Sequence, residues 1–181
     1  MENSIIISPT RDCSPEILLP IGTKIQHIFG YRTEIRPLLE NVEFALDTNR
    51  KQYESTKILD KLARRVPAYA LRVLAITAVD LFIPILTHVY GQAQLGGRAC
   101  IISTYRLKEG LFALPHSEAY LVRIVKEALH ELGHTFQLRH CPDPACLMHY
   151  CRSIADVDRK SDRMCRYCSV LIKDELNRLG R

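Results

Sequence analysis

The sequence predicts an α/β fold, and three observations carry that prediction. Leu71 to Val79 is a near-continuous apolar run of strand length, suited to a strand buried on both faces as in a parallel sheet. Stretches of strand character alternate with stretches of helical spacing along the chain. Hydrophobic residues make up 47% of the 181, enough to bury a core without cross-links in one domain of ordinary size.

Each element follows from local signals. Ile5-Ile6-Ile7 is a β-branched run ending at Pro9 and reads as a buried strand. Ser14-Pro15-Glu16 places Ser at a helix cap and Pro at the first position, so a helix is expected to about Ile28. Gly30 to Asn49 carries no clear period, with a short strand expected around Val42 to Ala45. Ile58, Leu62 and Val66 have helical spacing within Tyr53 to Val66, which stops before Pro67. After the Leu71 to Val79 strand, Thr87 to Gln94 and Cys100 to Thr104 read as two more, the first of them more polar. A long helix is expected from Pro115, capped near Ser117, with Leu121, Ile124, Val125, Ala128 and Leu132 facing the core. Beyond Cys141 the chain is rich in Cys, Pro, Asp and Arg, and it closes with a helix at about Ser169 to Leu179.

Charge argues against a nucleic-acid binder. The net charge is +5, from 25 basic and 20 acidic residues. The densest basic stretch, Arg152, Arg159, Lys160, Arg163 and Arg166, is interrupted by Asp156, Asp158 and Asp162 and reads as a solvated surface rather than a binding patch. The N-terminal residues lack the basic region of a signal peptide, and Arg72, Asp80 and Pro84 break the longest apolar region. A soluble, cytoplasmic monomer without membrane or nucleic-acid partners is expected.

The chemistry concentrates in His130-Glu131-Leu132-Gly133-His134, an HExxH motif on the long helix. Residues four apart lie one turn apart on one face, so both imidazoles can reach one zinc ion. Glu131, beside the first ligand, is the expected general base toward a water activated by that metal. His140 supplies a third ligand if the chain turns sharply after His134. The spacing matches the long signature HExxHxxGxxH except that Gln137 stands where Gly is usual. A left-handed backbone there costs a non-glycine residue roughly 1–2 kcal/mol.

Seven cysteines are an odd number, and most fall between Cys141 and Cys168. Cys141-x4-Cys146 and Cys165-x2-Cys168 form two short pairs, the usual arrangement for a structural zinc. Cys13, Cys100 and Cys151 are left over and read as small core residues.

The run HELGHTFQLRHC-x4-C-x-M, with C-x2-C following after sixteen intervening residues, resembles the archaemetzincin signature over Leu129 to Cys168. That resemblance implies a metzincin-like zincin fold: a mixed twisted sheet with the active-site helix in about residues 1–137, and a small zinc-stapled C-terminal subdomain in about 138–181. It implies a peptidase with two zinc ions. His130, His134 and His140 would hold the catalytic ion, Glu131 would act as base, and Cys141, Cys146, Cys165 and Cys168 would hold the structural ion. Met148 would be the methionine beneath the catalytic zinc. Val89 to Gln94 would be the edge strand that pairs with extended peptide substrate, cleaved from its amino end. Some other metzincins carry a Tyr at the position of Tyr150 that helps bind zinc or the oxyanion, but a packed or surface role is the preferred reading here, because the cysteine site reshapes this loop; His27, His88, His116 and His149 have no spacing partners. Two rival readings stay open: a zinc protein with little or no activity, and a cysteine-zinc interaction module in which HExxH is incidental.

Overall fold

The computed structural model describes residues 4–111 and 117–180. Strands β1 (Ser4–Pro9), β2 (Arg32–Ile35), β5 (Ala70–Thr77), β7 (Gly91–Ala93) and β8 (Ala99–Ser103) form one sheet in the order β2-β1-β5-β8-β7. Its inner pairs are parallel, and β7 closes one edge antiparallel to β8. The short strands β3 (Leu46–Asp47), β4 (Gln52–Glu54) and β6 (Leu81–Phe82) form a second, smaller sheet. The helices are α1 (Leu18–Phe29), α2 (Ser55–Ala63), α3 (Glu118–Thr135), α4 (Ile154–Arg159) and α5 (Arg166–Arg178).

Strand alternation divides the core between the two faces of the main sheet. Ile5, Ile7, Leu74, Ile76, Cys100 and Ile102 face α1 and α3, together with Ile21, Ile25, Ile124, Ala128 and Leu132. Ile6, Val73, Ala75, Ala99 and Ile101 face α2, through Ile58 and Leu62. The continuous apolar run of β5 is explained by this burial on both sides. Arg72, which interrupts it in the sequence, is itself buried: its Nε donates to the Thr135 carbonyl (3.2 Å) and its guanidinium lies over the Phe136 ring. It thus satisfies the carbonyl end of α3, where positive charge is favoured.

Several expectations shift. Val42 to Ala45 is not a strand: Glu43–Ala45 is a 3-10 turn, with Val42 and Ala45 buried against the α2 face of the sheet. Ser14 precedes a 3-10 turn at Pro15–Ile17 and makes no capping hydrogen bond, so α1 begins only at Leu18. The strand expected over Thr87 to Gln94 contracts to Gly91–Ala93, plus a bridge from Val89 to Leu81. The sequence signals did not reveal helix α4 or the short strands β2, β3, β4 and β6. Ser117 does cap α3, accepting from the Tyr120 amide at 3.2 Å, whereas Pro115 and His116 lie outside the described residues. Lys160 departs most from expectation. It is not part of a solvated basic surface but buried, ion-paired to Glu127 at 2.7 Å.

Candidate active site and cysteine centre

α3 delivers His130, Glu131 and His134 to one cleft beneath β7. The helix ends in a Schellman turn: Leu138 N donates to the Gly133 carbonyl (3.1 Å) and Gln137 N to that of His134 (3.0 Å). Gln137 has φ of 66°, so the left-handed conformation expected of the missing glycine is adopted all the same. Its side chain is exposed and lies against Gly96, whose amide donates to the His134 carbonyl (2.9 Å). The reversed chain brings His140 back over the helix, with ring centroids 5.3 Å from His130 and 4.8 Å from His134.

The histidine tautomers can be assigned from their partners. His130 Nδ1 lies 2.9 Å from the Leu147 carbonyl and His134 Nδ1 lies 2.7 Å from the Leu138 carbonyl. A carbonyl oxygen only accepts, so both Nδ1 atoms carry the proton and both Nε2 atoms present lone pairs. Those two lone-pair nitrogens approach to 3.1 Å. That separation suits two donors turned toward one cation. Nitrogens bound tetrahedrally to zinc at about 2.0–2.1 Å would stand about 3.3 Å apart. The ligand atoms of His130, His134 and His140 all lie within 4.8 Å of one another, which fits one ion. Burial, with the neighbouring Lys160 and His134 adding to it, holds His130 well below the usual imidazole range. Burial likewise holds His140 down to about 4, helped by His134 and Lys160. Neutral imidazoles are the ligating form.

Glu131 is buried, and burial pushes its carboxyl up to about 8, with Glu127 adding and Lys160 opposing. β7 presses on it: a Cβ at Gly91 would stand 2.6 Å from Glu131 Cγ. Met148 is buried under the helix, and a Cβ at Gly133 would stand 2.6 Å from its sulfur, so the glycine of HELGH makes room for that methionine.

Cys141, Cys146, Cys165 and Cys168 bring their sulfurs within the same 4.8 Å limit. Cys141 and Cys165 Sγ are 3.8 Å apart and unbonded. Sulfurs bound tetrahedrally at about 2.3 Å would be about 3.8 Å apart, so this donor set also fits zinc. Of the remaining cysteines, Cys100 is fully buried in the core and Cys13 is half-buried against it. Cys151 is half-buried too, but it also lines the cleft, as do His88, Arg139 and Arg152. Tyr150 packs on His140, with centroids 4.9 Å apart, and is an exposed side chain lining the cleft. His149 Nδ1 lies 2.9 Å from the Cys141 carbonyl, bracing the link between the two clusters.

Sequence reasoning missed Glu127 and Lys160. Glu127 was within reach, one helical turn before Glu131 on the same face. Lys160 carried no local signal.

Comparison with known proteins identifies the family. The model of peptidase family M54 matches residues 13–174. Among curated relatives, the archaemetzincin of Methanopyrus kandleri is 40% identical over 158 residues, covering 86% of this chain and 87% of that protein. The archaemetzincin of Methanocaldococcus jannaschii is 37% identical over 171 residues, covering 94% and 93%. The crystal structure of the M. kandleri protein superposes with a TM-score of 0.83 at 35% identity, covering 97% of this chain and 96% of that one. That of Archaeoglobus fulgidus archaemetzincin, complexed with malonate, gives 0.80 at 32% identity, covering 93% and 99%. With the family model spanning both the histidine and the cysteine cluster, the chain belongs to peptidase family M54, the archaemetzincins, and is a zinc metallopeptidase.

Proposed function

We propose that the chain hydrolyses peptide bonds in the cleft between β7 and α3. His130, His134 and His140 hold one zinc, and Cys141, Cys146, Cys165 and Cys168 hold a second, structural one. The observation that carries the reading is the 3.1 Å approach of two lone-pair nitrogens whose rings are fixed from behind by carbonyls. Zinc bound there supplies a Lewis acid and makes water acidic enough to lose a proton near neutral pH.

The protein's own groups do the rest. Glu131 is the proton acceptor and later returns the proton to the leaving amine. β7 is an edge strand whose outer side can pair with an extended peptide. Ile83, Leu86 and Leu95 give the cleft an apolar wall. Tyr150, beside His140, is the candidate donor to the scissile carbonyl oxygen.

Elemental analysis of metal per chain tests the ligand sets, and a peptide-library digest tests the activity. Two zinc ions are expected in the wild type, with one lost in His140→Ala and none in Glu131→Ala, which should lose cleavage. A single zinc insensitive to His140→Ala would overturn the histidine site, and cleavage surviving Glu131→Ala would remove the assigned base.

A further inference from the structure

The walls of the cleft are not uniform in chemistry. The segments on either side of β7 contribute apolar side chains, Ile83, Leu86 and Leu95, the last of them 53% exposed. The segment that runs from the third histidine past the methionine contributes two exposed guanidinium groups, Arg139 and Arg152. Arg139 directly precedes His140, whose ring packs on Tyr150 at 4.9 Å. The Arg152 guanidinium stands 6.0 Å from the same tyrosine ring. Two cations thus flank one histidine–tyrosine pair in the wall of the cleft.

Neither guanidinium has a carboxylate partner among the described residues. The acids closest to them in the chain are committed elsewhere. Asp143 accepts from the Ala145 amide at 2.9 Å. Asp156 accepts from the amides of Arg152 and Ser153 and pairs with Arg159. The other charged groups of the cleft do not offset the two arginines. Glu127 is matched by Lys160 at 2.7 Å. Burial and the Arg106 charge hold His88 below the usual imidazole range, so it is neutral at pH 7. Glu131 is left as one negative charge, and zinc held by three neutral imidazoles would more than balance it. The free charge of the cleft is therefore positive and concentrated beside His140 and Tyr150.

We propose that the cleft selects acidic peptides: Arg139 and Arg152 hold a substrate carboxylate, while neighbouring apolar residues of the substrate lie against Ile83, Leu86 and Leu95. The inference rests on the reading of this cleft as the peptide site. A guanidinium offers a planar fork of donors that matches a carboxylate. A cleft of one sign also raises the local concentration of ligands of the other sign. The carboxylate belongs to an Asp or Glu side chain or to the end of a short peptide. A substrate Lys or Arg in the same place is repelled.

The test uses zinc-loaded, full-length Glu131→Ala protein, so that binding is read without turnover. Peptides with one apolar core, blocked at both ends, carry Glu, Gln or Lys at each flanking position in turn; a further Gln peptide has a free C-terminus. Fluorescence anisotropy should show the best-placed Glu peptide binding at least about 5-fold more tightly than its Gln counterpart, and the Lys peptide most weakly. The advantage should shrink as salt is raised. Adding Arg139→Gln or Arg152→Gln should each remove most of that advantage and leave the blocked Gln peptide and the zinc content unchanged, and Arg→Lys should restore part of it. If the advantage instead follows the free C-terminus, the carboxylate held is the terminal one. Equal binding of Glu, Gln and Lys peptides, preference for Lys, no binding at all, or equal losses for every peptide in the Arg→Gln variants would overturn the inference. Carboxylate-dependent binding with no cleavage of any peptide by the wild type would instead overturn the hydrolytic reading and leave the selectivity standing.

Discussion

At the scale of single residues, two backbone positions set the geometry of the site. Gln137 occupies a left-handed position at the end of α3, where glycine would be unstrained. Its side chain is exposed, and its one polar contact is a 3.5 Å approach to Glu175. Little is lost on truncation, so Gln137→Gly should stabilise the protein by about 1 kcal/mol, read as a rise in Tm of about 2–4 °C. A lower Tm would mean that the side chain outweighs the strain. Gly91 is the second position. A Cβ there would meet Glu131 Cγ at 2.6 Å and the Ile101 carbonyl at 2.7 Å. The carbonyl belongs to the β7–β8 pairing region, so Glu131 or the edge strand must move. Gly91→Ala should lower kcat/KM by about 100-fold while metal content stays at the wild-type value. Full activity in this variant would show that the placement of Glu131 against β7 is not needed.

At the scale of elements, α3 is held to the end of α4 by successive residues on one face. Arg123 pairs with Asp158 through two 2.7 Å bonds, Lys126 Nζ donates to the carbonyls of Val157 (3.0 Å) and Asp158 (3.1 Å), and Glu127 pairs with Lys160. Lys126 and Glu127 sit one turn below Arg123, so a short helix of six residues is fixed by charges and carbonyls rather than by a wide apolar face. The Arg123 guanidinium holds the Asp158 carboxyl below its ordinary range, against the opposing effect of burial. A carboxyl lowered in the folded state contributes stability that is present above the ordinary carboxylate range and lost as pH falls through the lowered value. Urea midpoints should therefore fall from pH 7 toward pH 3, and the fall should be shallower in Arg123→Ala. The difference should be small, because the Asp158 side chain is 51% exposed. Identical slopes in the two proteins would mean the pair adds nothing.

At the scale of the whole molecule, the cysteine and histidine clusters share one segment. Cys141 directly follows His140, and Cys141 N donates to the Met148 carbonyl at 2.9 Å. Leu147, whose carbonyl orients His130, lies between Cys146 and Met148 and donates through its amide to Arg163. Loosening the cysteine cluster thus loosens the support behind two of the three histidines. Cys165→Ser with Cys168→Ser should lower Tm and weaken zinc at the histidines by about 10-fold, measured by chelator competition. Unchanged affinity there would show that the two clusters are independent.

Much of this site was legible in the chain because its chemistry is local. HExxH sets two imidazoles and a carboxylate on one helical face by period alone, and the short cysteine pairs announce their cluster by spacing. The continuous apolar run of β5 likewise reported burial on both faces. The short stretch Val42 to Ala45 misled because burial against α2, not strand pairing, accounts for its apolar residues.

The sequence by itself therefore determined the class of fold, the metal chemistry and the identity of the residues able to perform it, since each depends on side-chain type and near spacing. Only the tertiary structure decided which ring nitrogens face each other, how closely Gly91 approaches Glu131, and that Lys160 is buried beside Glu127 instead of solvated. Those depend on contacts between residues far apart in the chain. Lys160 and Glu127 are brought together by the docking of α4 on α3, and no local pattern distinguishes a lysine that will be buried against a carboxylate from its solvated neighbours in the same basic run.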